Sequence, residues 1–198
     1  MARRAARRAP EISRGEILDA ALECFTARGY HETSVDDIAA RAGLSKGAIY
    51  WHFAGKRELF LALIDRAGEP GMTLASAIAD APDWRAALHE LFTRVPQLVE
   101  EGMPLLKLAL DVIRLGAQDP DIRVRAEHKQ AVWNAAVQAQ LARGVAAGRV
   151  QPAAAEEVTL VIGATISGLM LQKLMRPELD LDAAWRAAEK ILWRGLEA

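Results

Sequence analysis

Cysteine is nearly absent from this chain. Cys24 stands alone among 198 residues, which excludes an intrachain disulfide and a multi-cysteine zinc site and suits a reducing compartment. An excess of charge of either sign is missing too. Lys and Arg number 25 against 26 Asp and Glu, a net charge of −1, so any basic surface has to be local. Long apolar runs are also lacking. The longest nearly apolar stretch, Val158 to Leu171, has 14 residues, short of the roughly 18 to 20 that cross a bilayer, and this predicts no membrane anchor. The N-terminal Met1-Ala-Arg-Arg-Ala-Ala-Arg-Arg-Ala-Pro10 is basic but leads into no apolar stretch, so a secretory signal is not expected and a cytoplasmic location is.

The constellations that catalysis requires are missing as well. His31, His52, His89 and His128 are scattered, without the His-Glu-x-x-His or paired-cysteine spacing of a metal site. Ser167 lacks a Gly-x-Ser-x-Gly elbow, and Gly55-Lys56 lacks the upstream glycine of a phosphate loop, because Tyr50 occupies that place. Glu100-Glu101 and Glu156-Glu157 read as solvated helix-end charges. No enzyme, metal site or cofactor is expected.

What remains is abundant helix. Apolar residues form 52% of the chain and charged residues 26%, a globular mixture. Ile17, Ala20, Ala21, Cys24 and Phe25 share one helical face, as do Trp185, Ala188, Leu192 and Leu196, and no strand-period stretch competes. Gly and Pro clusters at Gly68 to Gly71, Ala81-Pro82, Gly102 to Pro104, Gly116 to Pro120, Gly148 to Pro152 and Arg176-Pro177 separate the segments. The expected helices cover 13–28, 34–41, 45–52, 56–67, 72–80, 83–101, 104–116, 120–147, 153–175 and 181–196. Asp119-Pro120 is a start signal, an N-cap carboxylate followed by proline at the first helical position. Pro96 should kink or split the helix that begins near Asp83, because it removes one backbone bond and clashes with the preceding turn.

Residues 33–60 are the informative segment. Thr33 is positioned to cap a short helix, with Asp36 three residues on completing the pair. Ala39 offers only a methyl where a second helix crosses, and Gly43 falls where the turn requires a positive φ. Ser45 caps the second helix. Ile38, Ala42, Leu44 and Ile49 form the inner face, and Lys46, Gly47, Tyr50 and His52 point outward. This is the pattern of a helix-turn-helix, whose second helix enters the major groove. Gly47 lets the helix backbone approach the groove, although glycine there costs about 1 kcal/mol of helix propensity.

On these residues the segment resembles the DNA-binding domain of the tetracycline-repressor (TetR) family of bacterial transcription regulators. The resemblance covers roughly Ile12 to Leu63. It rests on Gly29-Tyr30, Thr33-Ser34-Val35, Ile38-Ala39, Ala42-Gly43, Ser45-Lys46-Gly47, Ile49-Tyr50-Trp51-His52-Phe53 and Lys56. The Tyr-Trp-His-Phe stretch is similar to that of multidrug-efflux repressors, and the part from Asp119-Pro120 onward resembles, more loosely, regulators of the betaine-responsive type. The resemblance implies that Thr33, Tyr50, His52 and Lys56 hold phosphates and that Ser45, Lys46, Gly47 and Ala48 face bases or lie beside them. Lys46 is suited to a guanine edge. Trp51 either packs on the sugar-phosphate backbone or braces its helix against the next, and bracing is the favoured reading. Gly55 departs from the family, which often has a polar cap before Lys56, so the anchoring of that lysine is the open point.

The expected architecture is all-α. A basic disordered arm (1–11) precedes a three-helix helix-turn-helix DNA-binding domain (12–60) and a C-terminal helical bundle for ligand binding and dimerisation (61–198). Residues 1–60 hold ten Lys or Arg and eight Asp or Glu, and residues 61–198 hold fifteen and eighteen. The surplus sits in Arg3, Arg4, Arg7, Arg8 and Arg14, either a DNA-following arm or a solubilising tail. The resemblance implies a homodimer through the last two helices. Val158, Ile162, Gly163, Ser167, Gly168, Trp185 and Leu192 are the expected interface, with small residues four apart allowing close approach. It further implies a small-molecule effector, apolar or aromatic, held near Phe92, Met103, Leu106, Leu110 and Trp133. The implied function is a repressor that binds a palindromic double-stranded operator and is released by that effector. A ligand-independent DNA-binding or architectural protein, and an activator, are the alternatives.

Overall fold

The computed structural model describes residues 13–196; the basic arm lies outside them, as do the side chains of residues 104–107, 153–156 and 195–196. Nine helices and no strand occur among the described residues: α1 Arg14–Glu32, α2 Val35–Ala42, α3 Lys46–His52, α4 Lys56–Ala79, α5 Trp84–Glu101, α6 Met103–Gly116, α7 Pro120–Ala146, α8 Pro152–Met175 and α9 Leu181–Leu196. They form two compact units, divided between Leu63 and Ile64 within α4.

In the first unit Ser13 caps α1, accepting from the Glu16 amide while the Glu16 carboxylate accepts from the Ser13 amide. Ile17, Ala21 and Phe25 are buried, and the Phe25 ring meets Phe60 edge-on at 5.7 Å. Gly29 leaves the helical region at φ 80° and ψ 165°, so α1 bends there before its last residues. Ile38, Ile49, Phe53, Leu59 and Leu63 complete the core.

The second unit packs α5, α7, α8 and α9 around Leu88, Leu91, Val95, Val137, Leu141, Ile162 and Trp185. Two breaks expected from the sequence do not occur. Pro96 lies inside an unbroken α5. A proline there leaves the Phe92 carbonyl without its helical donor, and the Trp185 indole N–H supplies one at 2.7 Å. The segment Gly68 to Gly71 likewise does not separate two helices, because α4 runs through it and through Pro70. Gly68 makes room for Lys129, since a Cβ there would lie 2.4 Å from the Lys129 ammonium. That ammonium donates to the carbonyls of Ile64 at 2.5 Å and Asp65 at 2.8 Å. Burial pushes the Lys129 pKa below its usual value, and Asp65 acts against the shift.

Two helix ends of this unit are as the sequence suggests. Asp119 accepts from the Asp121 amide in front of Pro120. Gly148, at φ 66°, closes α7 with paired bonds from its own amide to Val145 and from Arg149 to Gly144.

Several expected site residues are placed differently. Val158, Ile162, Trp185 and Leu192 are buried in the core of one chain, so they are not a free interface. The exposed row of α8 is instead Leu160, Ala164, Ser167, Gly168, Leu171 and Met175, beside Ile191 of α9; Gly163 is half-buried. The reason is angular, since residues two apart on a helix point some 160° from each other. Phe92 is a core residue, Met103 and Trp133 pack half-buried against that core, and Leu110 is 52% exposed. The side chain of Leu106 is outside the described residues. A small apolar pocket lined by Val95, Ile166, Leu169 and Trp185 measures about 10 Å³, at the lower edge of the roughly 10–15 Å³ that a single water needs.

The 14-residue apolar stretch is also part of a longer one. Glu157–Met175, 19 residues with mean hydropathy 1.5, is long and apolar enough to cross a membrane by length and composition. Its inner residues Val158 and Ile162 are nonetheless packed in the core.

The Trp185–Phe92 bond is testable by a double-mutant cycle. Trp185→Phe should cost about 1–3 kcal/mol through the orphaned carbonyl, beyond any packing loss. In a Pro96→Ala background the restored helical amide should reduce that cost. Urea denaturation of the four proteins measures both, and equal costs in the two backgrounds would remove the proposed compensation.

Candidate nucleic-acid interface

Two serine caps and one glycine turn build the α2–α3 pair. Ser34, rather than Thr33, caps α2: its hydroxyl accepts from the Asp37 amide at 3.1 Å, and the Asp37 carboxylate accepts from the Ser34 amide at 2.8 Å. Thr33 is 1% exposed, and its hydroxyl donates to the carbonyls of Cys24 at 3.1 Å and Gly29 at 2.9 Å. Its side chain thus ties α2 to the bend in α1 and is withdrawn from the phosphate set. The sequence offers both Thr33-x-x-Asp36 and Ser34-x-x-Asp37, and spacing alone does not choose between them.

Gly43 turns the chain at φ 69° and ψ 29°, with its amide bonded to Ala40 and the Leu44 amide to Ala39 at 2.8 Å. This paired closure ends α2 abruptly. Ser45 then caps α3 by accepting from Ala48 at 3.2 Å. Ile49 and Phe53 are buried, which turns Ser45, Lys46, Gly47, Tyr50 and Trp51 outward, with Ala48 half-buried and His52 exposed.

Trp51 is 71% exposed, and its ring contact among the described residues is with His52, at 5.6 Å. It does not brace α3, which corrects the favoured reading and leaves its face open. Gly47 has room for a side chain, since a Cβ would meet nothing closer than the Ser45 hydroxyl at 3.8 Å. The fold itself therefore does not require glycine at that position.

The cations near this surface are held by the protein. Lys46 pairs with Asp36 at 2.9 Å, and that carboxylate raises its pKa. Asp36 is a site residue that sequence reading treated only as a cap. Lys56 donates to the His31 carbonyl at 3.1 Å and lies 4.6 Å from the centre of the Tyr30 ring. Its anchoring is thereby supplied without a polar residue at position 55. Glu58 accepts from the Ala54 amide at 2.5 Å and closes the start of α4 in place of that cap. Arg14 stacks on Phe53 at 4.7 Å, and Arg28 pairs with Asp37 at 3.0 Å. Burial raises the Cys24 thiol pKa, which keeps it protonated.

A short capped helix presented across another by a glycine turn, with its outer wall exposed, defines a helix-turn-helix protein. The chain belongs to the TetR family of transcriptional regulators: the family described as bacterial regulatory proteins, tetR family, matches residues 17–63, and the family described as BetI-type transcriptional repressor, C-terminal, matches residues 82–196. The transcriptional regulator SrpR of Pseudomonas putida is 48% identical over 64 residues, a match spanning 32% of this chain and 30% of SrpR. The transcriptional repressor AcnR of Corynebacterium efficiens is 31% identical over 144 residues, 72% of this chain and 71% of AcnR. The chain thus matches less than a third of the length of SrpR. In fold it is similar to SmeT solved with triclosan, with a TM-score of 0.78 at 24% identity over 93% of this chain and 91% of that one.

Two stability predictions follow from the caps. Hydrogen bonds from the Ser34 hydroxyl and amide, then the Arg28 guanidinium, hold the Asp37 pKa at about 2 against an ordinary 3.8. The stabilisation from a depressed carboxylate is complete above the unfolded value and is lost as pH falls toward the folded one. Melting temperature should therefore fall less steeply between pH 4 and pH 2 in Asp37→Asn than in the unaltered protein, as followed by circular dichroism. Gly47→Ala should stabilise the fold by up to about 1 kcal/mol; a loss on urea denaturation would contradict the free space at that position.

Proposed function

We propose that the protein is a homodimeric repressor that grips a palindromic operator with two copies of α3 and lets go when a small molecule binds the second unit. The observation that carries the DNA reading is the outer wall of α3, where Lys46, Tyr50, Trp51 and His52 surround a glycine for which the fold has no need. Lys46 and Gly47, with Ser45 and Ala48, meet base edges. Tyr50, His52 and Lys56 meet phosphates, and Trp51 packs on the sugar-phosphate backbone.

Dimerisation is assigned to the exposed row of α8 with Ile191. Leu160 is 75% exposed, and Met175 and Ile191 are each 71% exposed. A cluster of such residues around Ser167 and Gly168 favours a second helix at close range. Nothing lies within 4 Å of a Cβ placed on Gly168, so the groove beside it is open. Two-fold pairing sets the recognition helices roughly 34–36 Å apart, one turn of B-DNA.

Release follows if the effector favours a state in which the first turns of α4 carry α3 out of register with successive grooves. An apolar or aromatic effector is supported by the apolar interior of the second unit and by the triclosan complex of SmeT. The alternative is a regulator that needs no ligand. Melting shifts on soaking with metabolite and drug pools separate the two: a raised midpoint supports an effector, and no shift with any pool supports the alternative.

DNA binding is tested on duplexes from the gene's own upstream region at low salt. Tyr50→Ala should weaken every sequence by a similar factor, whereas Lys46→Ala should cost about 1–3 kcal/mol at one base position only. Gly47→Ala should bind more weakly despite its gain in stability. Gly168→Glu should leave a folded monomer by light scattering. A Gly168→Glu protein that remains dimeric would move the interface elsewhere.

A further inference from the structure

The second unit carries fifteen basic and eighteen acidic residues, yet one of its clefts is lined by three arginines. The cleft measures about 590 Å³ and lies where α5 begins and α7 ends, between Asp83, Trp84 and Arg85 on one side and Arg143, Ala147 and Arg149 on the other. That volume is within the range of small-molecule sites, roughly 300–1,000 Å³. Four of its six lining residues are charged, whereas the small pocket beside Val95 and Trp185 is lined by apolar residues.

The fold sets two of the guanidinium groups in place. Arg143 donates to the carbonyls of Ala81 at 3.1 Å and Pro82 at 2.6 Å, and to the Gln140 side-chain oxygen at 3.1 Å. Gln140 is 2% exposed and is itself fixed by donating to Ile78, Ala79 and Ala81. Arg85 is stacked on the rings of Trp84 at 5.1 Å and Trp193 at 5.5 Å. Gly144 allows this closeness, because a Cβ there would lie 2.7 Å from Val150 and 3.0 Å from Trp84. Arg149 follows the left-handed Gly148 and is exposed. The one carboxylate in the lining, Asp83, accepts from the Ala86 amide at 2.9 Å, so it is engaged at the start of α5.

We infer that this cleft binds a small organic polyanion, one bearing two or more acidic groups as phosphates or carboxylates. Guanidinium groups stand on both sides of the cleft, Arg85 on one and Arg143 and Arg149 on the other, and planar donors on two walls suit a ligand with more than one set of acidic oxygens, phosphate or carboxylate. Groups already held in position lose little freedom on binding, which favours affinity. The site is separate from the DNA-facing residues, and it holds whether or not the repressor reading does.

The test is isothermal titration of the full-length protein with inorganic pyrophosphate and with citrate, at constant ionic strength set by sodium chloride. Arg149→Glu is the variant, since Arg149 is exposed and its side chain holds no part of the fold described above; an unchanged melting temperature checks this. Binding of either probe, weakened at least tenfold in Arg149→Glu, supports the site, and the stronger probe tells phosphate from carboxylate. No binding of either at 10-fold above protein concentration through about 10 mM, or equal affinity in the variant, overturns it.

Discussion

The chain leaves α2 through Gly43 at φ 69°, and the direction of α3 follows from that residue. A side chain in this left-handed region costs roughly 1–2 kcal/mol, which glycine avoids. The turn also satisfies the last carbonyls of α2 through the amides of Gly43 and Leu44. With α2 ended there, Ser45 is placed to cap α3, and Ile49 and Phe53 reach the core at 0% and 1% exposure. Burying those two residues fixes the rotation of α3, and so decides that Lys46, Gly47, Tyr50 and Trp51 face outward. Ala39, at 4% exposure, keeps the crossing tight because its side chain is only a methyl.

Electrostatics then prepares that outward wall without leaving its cations loose. Lys46 is held by Asp36, and Lys56 by a carbonyl and an aromatic face. An exposed pair such as Lys46–Asp36 is worth little, commonly less than about 1 kcal/mol. In the proposed complex, exchanging Asp36 for a base edge or a phosphate would therefore lose little.

Much of this was legible from residue spacing, and the failures have identifiable causes. The glycine turn, the Ser45 cap, the Asp119-Pro120 start and the inward face of Ile49 are local signals, each readable within five or six residues. Thr33 was misassigned because two overlapping capping boxes are written in the same stretch, and the choice depends on which hydroxyl the fold buries. Pro96 and Pro70 were read as breaks because local rules count only the lost amide. The compensating group for Pro96, the Trp185 indole on the Phe92 carbonyl, comes from a helix 89 residues further along the chain, beyond the reach of any local pattern.

The interface residues on α8 illustrate a different limit. A helix apolar on every side has no preferred direction, so periodicity cannot tell the row facing its own core from the row facing outward. Val158 and Ile162 were chosen for their bulk, and bulk is what the core selects too. The small residues are more informative, because a helix packed within one chain has little reason to keep both Ser167 and Gly168 on its exposed side, flanked by Leu160, Leu171 and Met175. Leaving those apolar side chains in water costs roughly 25 cal/mol for each Å² exposed. In the proposed dimer a second copy of the same row, brought close by the missing side chain at Gly168, would remove that cost for both chains at once. The apolarity that makes α8 resemble a membrane span would then be accounted for by protein on both of its faces, with its own core on one and the proposed partner on the other.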